Sequence, residues 1–441
     1  MRSFFEKYFA RAQFEQKDYR QYPELIERFK KDRAAVHIPR WDFLNQGKLE
    51  ILVENFAAVL WGKEETAFLE RAEGRDALNA GNVFTMLKNI EALWQGGLPF
   101  YFGFLAFDLY RNLERLPLAC DFYELPDFYI LFPANMLLVN HATGELFVQK
   151  YEQGVVFHTA REAKTPADEQ LLFSESKREY IRKIEKIREL IDEGEVYQIN
   201  YTQRISVEQE AEPYRFFKEL YNLNPAPYSV YAALPHCTLI SNSPERFLMC
   251  DQNSLQTEPI KGTIGRMPEP KADKKQMEML LRSEKDAAEL NMIVDLLRND
   301  LSKVSVPGSV KVDAHRRLET FSNVHHLVSS VSGELREGAD YVDFLQACFP
   351  GGSISGCPKV AALKYIAELE EHNRSFYTGS FFIRAPEKDQ FDSNILIRTA
   401  IVKDNKIHFQ VGGGIVIDSD PQLEYEECLA KADSFLKVAG R

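Results

Sequence analysis

Lys261 is flanked by residues that could make its amine reactive. It stands in 257-TEPIKGTIGR-266, between Ile260 and Gly262 and two places after Pro259, in a segment of strand and turn character. An ammonium pressed against apolar side chains and backbone loses hydration, its pKa falls, and the neutral amine becomes a usable nucleophile. In an open turn the same lysine is a solvated surface group. A second short loop segment, 241-SNSPERF-247, has the Pro-rich polar composition on which sites are often built. Hard-cation chemistry is available on two predicted helices. One, 283-SEKDAAELNMIVDLLRNDLSKV-304, carries Asp286 and Glu289 at i and i+3; the other, 421-PQLEYEECLAKADSFLKVAG-440, aligns Glu424, Glu427 and Lys431. Each acidic pair alone is a wet helix face. Brought together they form an oxygen-ligand site suited to Mg²⁺, which takes a few carboxylates, waters and an anionic substrate oxygen.

Anion-binding features accompany these groups. The segment 350-PGGSISGCPKVAALKYIAEL-369 is a glycine-rich loop entering a helix, but Cys357 and Pro358 stand where a Walker A loop needs Lys and Ser/Thr. The run 412-GGG-414 either lets backbone amides approach a ligand or marks a bulge. Arg398, inside the apolar run ILIRTAIV, implies a guanidinium that is paired or faces a ligand. His326 is a site residue or a core histidine.

The elements that must position these residues are partly legible. Tyr180, Ile181, Ile184, Ile187, Leu190 and Ile191 form a 3.6-period stripe, predicting a helix from Ser176 to Glu193 that ends at Gly194. The next segment, VYQINYTQRISV, alternates. Tyr197, Ile199, Tyr201, Ile205 and Val207 fall on one side, and Gln198, Asn200, Thr202 and Arg204 on the other, which faces solvent or lines a polar cavity. Residues 152–173 pass from strand-like to polar and are expected to link an N-terminal region, 1–151, to a second region, 174–441.

Composition narrows the function. With 441 residues, 45% of them hydrophobic, the chain can bury a deep site. A formal charge of −12 opposes nucleic-acid binding, so an anionic substrate requires a local cation cluster or metal. Six cysteines without a CxxC pair indicate neither a disulfide framework nor a zinc site and fit a reducing cytosol. No signal-type segment or apolar run of membrane-spanning length is present, and a cytoplasmic protein is expected.

Taken in order, SPERF, PIKGT, AELNMIVDLLRND, VHHLVS, FPGGSISGCPK, IRTAIV, GGGIV and EYEECLAK resemble the chorismate-utilising enzymes. These include anthranilate synthase component I, aminodeoxychorismate synthase component I, and the isochorismate and salicylate synthases. The similarity runs over about residues 174–441; ILVENF (51–56) and YFGFLAFDLYR (101–111) resemble the family's more variable N-terminal region. The resemblance implies an α+β fold of two face-packed antiparallel sheets with outer helices and the site in a cleft. It implies that Glu289 and Glu427 ligate Mg²⁺, with Asp286 and Glu424 beside them, and that Arg398, Lys431, Thr263, Ser353, Tyr377 and the backbone at Gly412 and Gly413 hold the substrate. His326 would lie beside the ring, and Glu245 would protonate the departing 4-hydroxyl.

Two positions divide the family. Isochorismate- and salicylate-forming members activate water with a lysine where this chain has Gln198, and an amide cannot abstract that proton. Anthranilate synthases carry Ala in the PIxGT motif, whereas the aminodeoxychorismate-forming members resembled here carry Lys, as at Lys261. The implied reaction is amination of chorismate at C4 through a Lys261 adduct at C2, giving 4-amino-4-deoxychorismate for 4-aminobenzoate and folate synthesis; anthranilate formation is the alternative. No cysteine has the setting of a glutaminase nucleophile, so ammonia is expected from a separate glutamine amidotransferase subunit in a heterodimer. No fused lyase is expected. Phe381 and Phe382 depart from the small residues common in the family, and 52-LVEN-55 is a poor match to the motif that helps bind tryptophan, unlike 224-NPAPYS-229.

Overall fold

A computed structural model describes residues 4, 7–8, 11–29, 31, 34–45, 47–79, 81–93, 100–151, 154–156, 171–208, 212–321, 324–385 and 389–440. Two long strands organise it. Lys48–Lys63 pairs antiparallel with Phe128–Asn140, and the register shifts between Val53 and Ala58. Such bulges bend a strand pair and let one ladder pass from one sheet into another.

On one side of the bend the pair is extended by Glu145–Lys150 and Gln13–Lys17 at one edge. At its other edge come Val36–Asp42, Tyr228–Ala233, Thr238–Ser243, Thr399–Lys403, Lys406–Ile415 and Gln198–Glu208. Beyond the bend the pair is flanked by Thr66–Arg71 and Gly74–Asn79 on one edge, and by Tyr101–Leu105, Ser380–Arg384, Gln390–Ile395, Arg246–Asp251 and Ser254–Thr257 on the other. The last of these reaches Val324–Glu334, which also pairs with Ile260–Gly265 and Lys311–Thr320. All these ladders are antiparallel.

The inner faces of the two sheets share one apolar core. Trp41 of the first sheet meets Phe381 of the second with ring centroids 5.5 Å apart, and packs 5.1 Å from Tyr228 of the NPAPYS segment. Phe382 lies over Gly103, where a Cβ would come within 2.1 Å of its ring. Both phenylalanines that depart from the family pattern are therefore core residues, fully buried.

Helices cover the outer faces. Lys177–Asp192 starts at a capping box between Ser176 and Glu179 and buries Tyr180, Ile184, Ile187 and Leu190, the predicted stripe. Pro421–Val438 packs on it and on the strand Lys406–Ile415, while Glu284–Ser302 covers Ile260–Gly265 and Val324–Glu334. The α+β architecture of two face-packed antiparallel sheets with outer helices is the expected one. The N-terminal and C-terminal regions share these sheets, through Val36–Asp42 on Tyr228–Ala233 and Tyr101–Leu105 on Ser380–Arg384. Within the expected linker, residues 152, 153 and 157–170 lie outside the described residues, Val155 bridges to Phe56, and Leu171–Phe173 is a short strand on Ile205–Val207. No helix of the described residues is long and apolar enough to cross a membrane.

Candidate functional site

The strand Gln198–Glu208 is sandwiched between Lys406–Ile415 and the Gly356–Cys357 bridge, and its polar side is buried: Gln198 is 0% exposed, Asn200 8% and Thr202 3%. Its polar residues thus face the interior. Tyr197, expected on the apolar side of this strand, instead precedes it and is 64% exposed. Neither amide atom of Gln198 has a hydrogen-bond partner among the described residues. A buried, unpaired carboxamide costs free energy and marks a place where a polar group can bind.

The glycine run opposite is part of a strand, Lys406–Ile415. A Cβ on Gly412 would meet the Tyr201 carbonyl oxygen at 1.9 Å, so this glycine is required by the pairing of two strands. The next two have a different surrounding. A Cβ on Gly413 would stand 3.4 Å from Glu424 Oε2, 3.4 Å from Lys431 Nζ and 3.9 Å from Glu427 Oε1; one on Gly414 would stand 2.5 Å from Gln198 Nε2 and 3.3 Å from Lys261 Nζ. The missing side chains leave space that the nucleophile candidate, the amide and the second acidic pair all border.

Lys261 is half-buried in the strand Ile260–Gly265. Its ammonium is close enough to lower the pKa of three carboxyls from three elements: Glu245, Glu289 and Glu427. Glu245 is 5% exposed and its Oε1 accepts a 2.7 Å hydrogen bond from Ser353 Oγ. Burial pushes this carboxyl up to about 7, with the Ser353 hydrogen bond and then the Lys261 charge opposing the rise. A carboxyl at that value is substantially protonated at neutral pH and can donate a proton.

His326 pairs in register with Thr263, and their Nδ1 and Oγ1 are 2.7 Å apart. Burial, reinforced by the charge of Arg398, lowers the imidazole to about 4, so the ring is neutral at physiological pH. Arg398 is not in a strand: the run ILIRTAIV breaks between Gln390–Ile395 and Thr399–Lys403, and Arg398 takes φ 48°. That left-handed conformation is strained for a residue with a Cβ, and such strain gathers at sites. Burial lowers the guanidinium pKa, and among the described residues no carboxylate pairs with it. It is a half-buried cation with donors to spare.

The two acidic pairs lie on two helices that Lys285 brings near one another. Asp286 packs on Gly262, whose Cβ position lies 3.0 Å from Asp286 Cγ. Burial raises the Glu289 pKa, opposed by Lys261 and Lys285, with Asp286 and Glu424 adding to the rise. Glu427 is lowered first by Lys431, whose Nζ is 2.8 Å from Glu427 Oε1 and 2.9 Å from the Gly412 carbonyl. Lys285 joins the two helices, with Nζ 3.5 Å from Glu424 Oε1 and 4.0 Å from Glu289 Oε1. Sequence reasoning missed this lysine, although its i, i+4 spacing from Glu289 was the available signal. Among the described residues no group of three or more Asp, Glu, His or Cys side chains closes on one point as a metal site.

Burial raises the phenol of Tyr377, with Arg374 opposing the rise and Glu370 adding to it. The glycine-rich loop contributes Ser353, while the helix it enters, Lys359–Leu369, begins six residues later.

The family described as chorismate binding enzyme matches residues 40–437. Aminodeoxychorismate synthase component 1 of Escherichia coli is 36% identical over 364 residues, 79% of this chain and 78% of that protein. Anthranilate synthase component 1 of Thermus thermophilus is 35% identical over 392 residues, 84% of each chain. Among solved structures, anthranilate synthase component I of Streptococcus pneumoniae is similar at a TM-score of 0.76 and 26% identity, over 88% of this chain and 92% of that one.

Proposed function

Because the chain belongs to the chorismate binding enzyme family and is a chorismate-utilising enzyme, we propose that it aminates chorismate at C4, with Lys261 as covalent nucleophile and Glu245 as general acid. One observation carries this reading. The Lys261 amine borders the space beside Gly414 and the Gln198 amide, within electrostatic reach of a buried carboxyl that holds a proton near neutral pH. The candidate nucleophile and acid are thus within electrostatic reach of one another, and the Gln198 amide is not a base that could activate water.

The Lys261 nitrogen forms a bond to C2, both conjugated ring double bonds shift by one place, and the C4–oxygen bond breaks as Glu245 delivers its proton, so the hydroxyl leaves as water. Ammonia then bonds to C4, the C2–nitrogen bond breaks with its electron pair returning to Lys261, and the proton shed by the new amine restores the Glu245 acid. The unpaired Gln198 carboxamide is suited to orient ammonia, and the neutral His326 lies against the strand of Lys261 without adding charge. Ammonia would come from a glutamine amidotransferase subunit, and the product would feed 4-aminobenzoate and folate synthesis.

Glu289 and Glu427 carry hard oxygens of the kind Mg²⁺ takes, with Asp286 and Glu424 as further candidates; of these, Glu424 and Glu427 border the cradle left by Gly413. Mg²⁺ commonly takes only one or two carboxylates and completes its shell with water and substrate oxygen. When bound there it would supply Lewis-acid polarisation of the ring carboxylate.

Purified chain given chorismate, Mg²⁺ and ammonium is expected to form 4-amino-4-deoxychorismate without pyruvate, identified by mass and a pyruvate assay. Anthranilate with stoichiometric pyruvate would overturn the reading in favour of the reaction named for the Thermus thermophilus relative. Arg398→Gln removes a cation that no carboxylate compensates. We expect the chorismate KM to rise by about 10- to 100-fold, the worth of a charge-assisted hydrogen bond pair, with thermal stability unchanged or higher. An unchanged KM would remove Arg398 from the substrate contacts.

A further inference from the structure

Arg374 lies outside every motif discussed so far, yet its 1%-exposed guanidinium joins segments remote in sequence. Nε donates to Glu370 Oε2 at 2.9 Å and Nη2 to Glu370 Oε1 at 2.7 Å. Nη1 donates to the carbonyl of Ile354 at 2.8 Å, and Nη2 to the carbonyl of Asn200 at 2.5 Å. Glu370 Oε1 in turn accepts from the Thr202 backbone N–H at 3.0 Å and its hydroxyl at 2.9 Å. Ile354 follows Ser353, and Asn200 lies two residues after Gln198. One ion pair therefore ties the loop that holds the general acid to the strand that presents the amide.

The N-terminal region braces this arrangement. Asp108 accepts from the Ser375 backbone N–H at 2.7 Å, and the Arg374 guanidinium lies 4.5 Å above the Phe107 ring. Ser375 itself takes φ 52° and Thr378 φ 59°, conformations that persist only where surrounding contacts hold them. A buried ion pair is weak evidence for stability, because desolvation offsets much of the attraction. Here it is spent on the relative placement of two site segments.

Resting on the role given to Glu245 above, we propose that the Arg374–Glu370 pair is a positioning element that fixes Ser353, and through it the Glu245 carboxyl, against the strand of Gln198. Glu370, Tyr377, Asp108 and Tyr110 face Arg374, Glu175 and Tyr201 face Glu370, and Lys261 faces Glu245.

The test is a cycle with Ser353→Ala and the double variant Arg374→Gln/Glu370→Gln, which removes both charges together and leaves no buried carboxylate alone. Chorismate disappearance is followed against pH, so the result does not depend on which product forms. Because the Ser353 hydrogen bond lowers the Glu245 pKa, losing it should move the basic limb of kcat/KM upward. Ser353→Ala and the double variant should each do so, and each should lower kcat by about 10- to 100-fold, the scale of a misplacement near 1 Å. Combining all three changes should add little to either. Additive effects, or a folded double variant with the parent's kcat and pH limb, would overturn the proposal. Should near-ultraviolet circular dichroism show the double variant unfolded, Arg374→Lys takes its place in the same cycle. It keeps the charge but cannot span Glu370, Ile354 and Asn200 at once.

Discussion

Lys261→Ala is expected to lower turnover by between about 10³- and 10⁶-fold, the range for loss of a covalent nucleophile, while the fold persists and chorismate binds more weakly. The side chain is half-buried rather than part of the apolar core, so its truncation is not expected to unfold the protein. Its loss has a second effect. Lys261 lowers the pKa of Glu245, Glu289 and Glu427, so Lys261→Ala should raise all three and gather uncompensated negative charge where an anionic substrate must bind. Lys261→Arg separates the contributions. It restores the positive charge but is not nucleophilic, because a guanidinium stays protonated. We expect Arg to recover substrate affinity and none of the turnover. Intact-protein mass spectrometry of the parent with chorismate and no ammonium should show an adduct that both variants lack. Full activity in Lys261→Ala would eliminate the covalent route and leave direct attack by ammonia on C4.

How much of this was legible beforehand depended on whether the signal was local. The helix Lys177–Asp192 was readable from its stripe and cap because both lie within the segment itself. The strand Gln198–Glu208 was readable as a strand, but period-two alternation is blind to what covers each face. Burial of Gln198, Asn200 and Thr202 depends on partners far along the chain, such as Glu370 and the glycine strand. The break at Arg398 is a single left-handed residue, which the apolar run around it does not announce. Sharing of the sheets by the N-terminal region was invisible for the same reason: the partners of Val36–Asp42 and Tyr101–Leu105 lie far along the chain. The acidic pairs were visible as pairs at i, i+3, yet only tertiary packing could bring two helices together across Gly262 and Gly413.

Glu245→Gln should make the protein less active and more stable at once, a combination that a purely structural glutamate would not give. Its carboxyl titrates near 4.5 in the unfolded chain and at about 7 in the folded one, because burial disfavours the charged form. Below about pH 4 both states hold the proton and Glu245 costs nothing. As the pH climbs from there to about 7 the unfolded state sheds its proton first, so the folded state loses stability relative to it. Above about 7 the full cost persists, of order 3 kcal/mol for this shift at 1.36 kcal/mol per unit. The substituted carboxamide cannot titrate, and its carbonyl can still accept from Ser353. The variant should therefore melt like the parent at pH 4 and a few degrees higher at pH 8. Activity runs the other way. Loss of a general acid lowers kcat by about 10²- to 10⁴-fold, and the parent's decline in kcat/KM above about pH 7 should vanish from the variant. If the parent keeps its activity to pH 9, or if the variant retains the decline, Glu245 is not the proton donor. If instead the melting difference is the same at pH 4 and pH 8, the carboxyl is not carrying a raised pKa, and a donor that protonates the leaving hydroxyl must be sought elsewhere in the pocket.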